Sequence, residues 1–161
     1  AMWVPFNEAW GQFDAKQIAQ FTKDYDGTRT VDHASGWHDQ GAGDLNSMHR
    51  YVVPINPRRN DGRIFAITEF GGYSHIDHGH TWDESKSFGY MMFRSKDSLS
   101  KAYKRLHETQ VIPLVKKGLS ATVYTQVSDV ENEVNGILTY DREHIKINED
   151  VLIEINNKLT L

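Results

Sequence analysis

Ile64-Phe65-Ala66-Ile67-Thr68-Glu69-Phe70-Gly71-Gly72 is the stretch on which the reading of this chain turns. Its apolar residues run without polar alternation, which predicts a strand over 64–68 buried on both faces. Residues 54–62 precede it, with two prolines, Asn60 and Asp61-Gly62, and read as a loop. Glu69 closes the strand. A carboxylate placed directly after a buried strand stands on a rigid backbone and faces a pocket mouth, where barrel enzymes put their chemistry. Trp3-Val4-Pro5-Phe6-Asn7-Glu8 repeats the pattern, a short apolar run closed by a glutamate. Two such carboxylates suggest glycoside hydrolysis, which needs one acid and one nucleophile or base.

Outward from these strands, Asp14 with Gln17 three residues later has the spacing of a capping box. Ile18, Phe21 and Tyr25 then predict a helix with one apolar face against a sheet, ended by Asp26-Gly27. Residues 30–34 and 44–51 read as short strands on either side of a glycine-rich stretch, and 71–89 as a long loop of the kind that carries function. Leu99, Tyr103, Leu106 and Leu114 share a second helical face, which Pro113 should kink or split and Gly118 should end. Residues 121–127 are β-branched and strand-like, and Asn148 is placed to cap a last helix carrying Val151, Ile155 and Leu159. This alternation favours an α/β architecture with a largely parallel sheet.

Composition narrows the function classes. The 161 residues, 39% hydrophobic and 25% charged, are ordinary for one globular domain over 1–161. A net charge of −4, with lysines and arginines scattered, argues against nucleic acid or an anionic membrane surface as partner. Without cysteine there is no disulfide framework, thiol nucleophile or cysteine-ligated zinc, and the compartment stays open. No apolar run approaches the roughly 20 residues of a membrane span.

Several motifs occur together and in order: Asn7-Glu8-Ala9-Trp10-Gly11-Gln12, Val31 to Trp37, Met48-His49-Arg50-Tyr51 and Thr68-Glu69-Phe70-Gly71-Gly72. Gly79-His80-Thr81-Trp82, Val123 to Gln126 and Glu131 to Gly136 follow. Through nearly its whole length the chain resembles the catalytic barrel of glycoside hydrolase family 2, among the β-galactosidase and β-glucuronidase relatives. The resemblance implies a partial (β/α)8 TIM barrel, strands four to eight, with flanking helices. It further implies that this is the C-terminal portion of a catalytic barrel, without the first three strands and the family's β-sandwich domains. On that expectation the isolated chain is inactive, and its open barrel edges invite a homodimer or a domain-swapped assembly.

By the same resemblance Glu8 is the acid/base and Glu69 the nucleophile of a retaining β-glycosidase that acts on a carbohydrate without a cofactor. Glu69 has to begin ionised and Glu8 protonated. Asn7 would hold the sugar 2-OH, where a hydrogen bond that strengthens in the transition state adds to rate. His49 and Tyr51 would orient the nucleophile or contact the sugar, sharing a face only if their strand stays regular. His80 and Trp82 belong to the substrate mouth. Trp37 is open between a sugar platform and the core, and Trp10 is similarly ambiguous. His75, Asp77, His78 and His80 invite a metal, but they sit on a glycine-flanked loop without helical support, so no metal is expected. The alternative is a non-catalytic carbohydrate-binding or self-associating scaffold.

Overall fold

Residues 64–71 form the central strand of the largest sheet, with Phe65, Ile67 and Phe70 in the apolar core and Thr68 and Glu69 against polar side chains. In a computed structural model that describes residues 1–8, 11–57 and 60–159, this strand, β6 (Ile64–Gly71), lies between β5 (Leu45–Tyr51) and β9 (Leu119–Thr125). Both pairings are parallel. Met48, Ile67, Phe70 and Leu119 of these strands pack with Leu106, Val111 and Leu114 in the largest core cluster. No described helix is long and apolar enough to cross a membrane.

The expected partial barrel does not form. Among the described residues the strands fall into four separate sheets, one of three strands and three of two, and none closes. The two-stranded sheets pair β1 (Met2–Trp3) with β3 (Thr30–Val31), β2 (Phe6–Asn7) with β4 (Ala34–Ser35), and β7 (Tyr73–Ser74) with β8 (Met91–Met92). The run 3–6 read as one strand is broken at Val4-Pro5, and the run 30–34 at Asp32-His33. Proline removes a ladder donor. Asp32 and His33 are both buried, with Asp32 accepting a hydrogen bond from Ser47 Oγ at 3.0 Å across to β5. Helices are also too few for a βα repeat, since among the described residues no helix separates β4 from β5 or β5 from β6. The result is a small mixed α/β domain in which every pairing between named strands is parallel.

Helix α1 (Ala15–Tyr25) buries a different face from the one expected. Ala19 packs with Val31 and Ala42, while Phe21 and Tyr25 stack on each other in solvent at 70% and 87% exposure. Asp14 precedes the helix in a left-handed conformation (φ 44°) and makes no side-chain cap bond. An N-cap needs extended backbone to aim its carboxylate at the first turn, so the expected capping box does not form. Helix α2 (Lys96–Leu106) is capped reciprocally by Ser95 and Ser98. It widens into a π turn over His107–Val111 before a short α3 (Ile112–Val115). Pro113 has no N–H to offer the carbonyl four residues back, and its ring crowds that carbonyl. Asn148 precedes α4 (Glu149–Lys158) without capping it; its amide instead donates to Asp97 at the start of α2, 3.2 Å away. Ile155 of α4 joins Leu99, Tyr103 and Ile147 in a second core cluster.

Candidate active site

The carboxyl ends of β2, β4, β5, β6 and β9 supply one cluster of polar side chains. Glu8 follows β2 directly, and its N–H donates to the Ser35 carbonyl at 2.6 Å, continuing the register that pairs Asn7 with Ser35. Its backbone takes φ 52°, a left-handed conformation uncommon for a residue with a side chain and concentrated at functional sites. Glu69 sits on β6 just after a register shift: Met48 pairs with Ile67 but His49 pairs with Glu69, leaving Thr68 as the extra residue. Such a bulge re-aims the side chains beside it. Here it brings Glu69 to a histidine and Thr68 to the serine behind that histidine.

That histidine is His49, fully buried. Its Nδ1 lies 3.1 Å from Glu69 Oε2 and 3.3 Å from Glu8 Oε1. Its Nε2 faces Ser35 Oγ at 2.6 Å, and Ser35 Oγ lies 2.7 Å from Thr68 Oγ1. The ring is thus held from behind by the Ser35 hydroxyl, itself backed by Thr68, and presents Nδ1 to both glutamates. The selected oxygens of Glu8 and Glu69 and the His49 nitrogen all lie within 4.8 Å of one another. Both carboxylates keep a path to solvent, with side chains 34% and 28% exposed.

Tyr51, two residues beyond His49, reaches the same carboxylate. Its phenol donates to Glu69 Oε2 at 2.6 Å and pairs with Thr125 Oγ1 at the end of β9, 3.0 Å away. Burial and the Glu69 carboxylate push the Tyr51 pKa far above its ordinary value, so the phenol stays a donor. Tyr90 stacks flat on Tyr51, centroids 4.4 Å apart and planes 6° apart. Burial first, and then the carboxylates of Glu133, Glu69 and Glu8, raise the pKa of Tyr90.

Two glycines make this crowding feasible. A Cβ on Gly36 (φ 125°) would lie 3.1 Å from Glu8 Cα and 3.2 Å from His49 Nδ1, and one on Gly72 would meet the Tyr90 and Tyr51 rings at 2.6 and 3.0 Å.

Of the residues expected from sequence, Glu8, Glu69, His49 and Tyr51 converge. Asn7 is exposed beside Ser35. His80 and Trp82 belong to a second cluster: His80 Nδ1 pairs with Asp141 at 2.7 Å, its ring meets His144, and Trp82, 59% exposed, meets the Tyr140 ring. Among the described residues none of these contacts reaches Glu8 or Glu69. Trp37 is 47% exposed, and Trp10 lies outside the described residues. The histidine-rich loop does not gather as a metal quartet. His75 faces the Phe93 carbonyl, Asp77 pairs with His144, His78 with Glu84 and His80 with Asp141.

Two other groupings have three ligand atoms close enough for a metal ion: Glu8, His49 and Glu69, and His80, Asp141 and Glu143. Ser35, Thr68, Tyr90 and Thr125 escaped the sequence reading. Their roles depend on cross-strand register and on a ring stacked from 39 residues away, and neither leaves a local pattern.

No protein-family model matches the chain, and a search of curated proteins finds no match.

Proposed function

We propose that this chain is the catalytic region of a retaining β-glycosidase that hydrolyses terminal β-glycosidic bonds by double displacement. The observation that carries the reading is that Glu8 Oε1 and Glu69 Oε2 lie 3.3 and 3.1 Å from the same His49 nitrogen, which brings the two carboxyl groups together with an oxygen of each no more than 4.8 Å apart. Retaining enzymes hold their two carboxyl groups about 5 Å apart across the scissile bond, whereas inverting enzymes need a wider gap for water. Glu69 is the nucleophile, because the Tyr51 phenol donates to its Oε2 at 2.6 Å and so orients the oxygen that attacks. Glu8 is the acid/base. It donates its proton to the leaving oxygen as Glu69 bonds to the anomeric carbon, then takes a proton from the water that breaks the glycosyl ester. The resemblance to glycoside hydrolase family 2 points the same way.

In whichever length of chain turns over aryl β-glycosides, Glu69→Gln is expected to abolish turnover. Glu8→Ala is expected to spare the first step for substrates with good leaving groups and to be accelerated by azide. A normal kcat in Glu69→Gln would remove the nucleophile assignment. A carbohydrate-binding scaffold, by contrast, would bind sugar equally well with or without Glu69.

A second reading has one observation in its favour. Glu8, His49 and Glu69 converge as three potential ligands, and Ser35 fixes the far nitrogen of His49 as a supporting partner fixes a metal-bound imidazole. Calorimetry with Zn2+ and Mg2+, alongside turnover in EDTA, separates the two: the glycosidase reading expects turnover to survive chelation.

A further inference from the structure

A third carboxylate stands at this site, and neither step of the double displacement uses it. Glu133 is held by a side-chain chain that starts beside Tyr51's partner Thr125: Gln126 Nε2 donates to Asn135 Oδ1 at 2.7 Å, and Asn135 Nδ2 donates to Glu133 Oε1 at 2.9 Å. Asn135 is fully buried, so the carboxylate is anchored at one oxygen by a fixed donor while its side chain stays half-buried. The backbone of Glu133 forms a parallel β-bridge with Phe88, whose ring makes an edge contact with Tyr90 at 5.6 Å. Tyr90 in turn covers Tyr51, which holds Glu69. The amides fix the Glu133 carboxylate, the bridge to Phe88 sets its backbone beside the aromatic wall, and the Tyr90 phenol feels the charges of Glu133, Glu69 and Glu8 together. Phe88 and Tyr90 are 54% and 46% exposed, so this wall faces solvent and an arriving ligand.

The carboxylates of Glu8, Glu69 and Glu133 act together on the Tyr90 phenol and share one sign. Among the described residues the only ion-pair partner of Glu8 or Glu69 is His49. We propose that Glu133, anchored by Asn135, is a specificity-determining residue that selects an uncharged glycosyl group and excludes a uronic acid. A carboxylate that accepts from Asn135 through one oxygen has the other free to accept from sugar hydroxyls, and pairs of hydroxyls suit it well. A sugar carboxylate brought to the same wall meets a like charge that has no ion-pair partner among the described residues. Repulsion of this kind discriminates by penalising the wrong ligand rather than improving the right one. The inference rests on the glycosidase reading and adds its substrate class.

The test is calorimetric titration of the chain at neutral pH with uncharged 1,5-glyconolactams of gluco, galacto and manno configuration, and with the glucuronic acid lactam. At least one uncharged lactam is expected to bind about tenfold or more tighter than the uronic acid lactam, with the gap shrinking as salt is raised. Glu133→Gln keeps an acceptor for Asn135, so the fold is retained, and it is expected to bring the two classes to within about threefold. Equal or tighter binding of the uronic acid lactam would overturn the proposal and leave the glycosidase reading standing. So would a ratio that Glu133→Gln or salt leaves unchanged. Binding of neither class would count against the glycosidase reading itself, and the inference would fall with it.

Discussion

Tyr51→Phe removes one hydroxyl and leaves the ring, which makes it a sharp probe of the site. The lost group donates to Glu69 at 2.6 Å, while the ring stacked on Tyr90 at 4.4 Å is kept. A hydrogen bond to a charged acceptor contributes about 1.5–3 kcal/mol, or roughly ten- to a hundredfold in rate. The two chemical steps should not share the loss equally. When Glu69 bonds to the anomeric carbon its negative charge disappears and the phenol's bond weakens. When the ester is hydrolysed the charge returns, and the phenol stabilises it as it forms. The variant is therefore expected to slow deglycosylation more than glycosylation. With an activated aryl glycoside, stopped-flow absorbance should show a burst of released phenol close to one per site, followed by a steady state about ten- to a hundredfold below wild type. Because the Tyr51 pKa is raised far above ordinary assay conditions, wild type should show no alkaline limb from this group. An unchanged steady-state rate, or a slowed rate without a burst, would refute the assignment of Tyr51 to the nucleophile.

Other predictions follow from neighbouring features. Gly36→Ala places a methyl 3.1 Å from Glu8 Cα at φ 125°, so it is expected to cost about 1–3 kcal/mol in urea unfolding and to lower turnover at least about tenfold. A stable, fully active variant would show that Glu8 and His49 tolerate being moved apart. Lys146 and Asp129 form a fully buried ion pair of 2.6 Å, and Lys146 also donates to the carbonyls of His75 and Val134. Lys146→Met strands the carboxylate and should destabilise by about 3–5 kcal/mol in the same assay, whereas a change under about 1 kcal/mol would mean that water reaches the pair. Arg63, hydrogen-bonded to Asp39 at 2.8 Å, lowers the Asp39 pKa to about 2. Its folded value lies below its unfolded one, so the stabilisation is present above 3.8 and is lost as pH falls toward about 2. Asp39→Asn should flatten that part of the acid-unfolding curve, and an unchanged curve would contradict the linkage.

Some of this molecule is legible from local sequence, and the reasons are physical. The uninterrupted apolar run at 64–67 could only be satisfied by cover on both sides, and β6 is the central strand. Pro113 disrupts its helix as its missing N–H requires. Elsewhere the local pattern misleads. Ile18, Phe21 and Tyr25 have helical spacing, but the contact of α1 with its neighbours is close. Small Ala15 and Ala19 fill it, and the aromatic side chains are left outside. The barrel expectation failed on breaks of two residues, Val4-Pro5 and Asp32-His33, that a run of mostly β-forming residues conceals. At the site, Glu8 and Glu69 could be anticipated because they are carboxylates at strand ends, and His49 and Tyr51 came with the motif resemblance. Ser35, Thr68 and Tyr90 could not, because a bulge, a buried hydroxyl pair and a long-range ring stack put them there.

The most direct measurement is to identify the residue that becomes glycosylated. Treating the catalytically competent protein with an aryl 2-deoxy-2-fluoro-β-glycoside slows hydrolysis of the glycosyl ester, so peptide mass spectrometry can locate it. The account predicts stoichiometric label on Glu69, with none in Glu69→Gln. Label on Glu8 or any other residue, or turnover that proceeds with inversion and leaves no label, would contradict it.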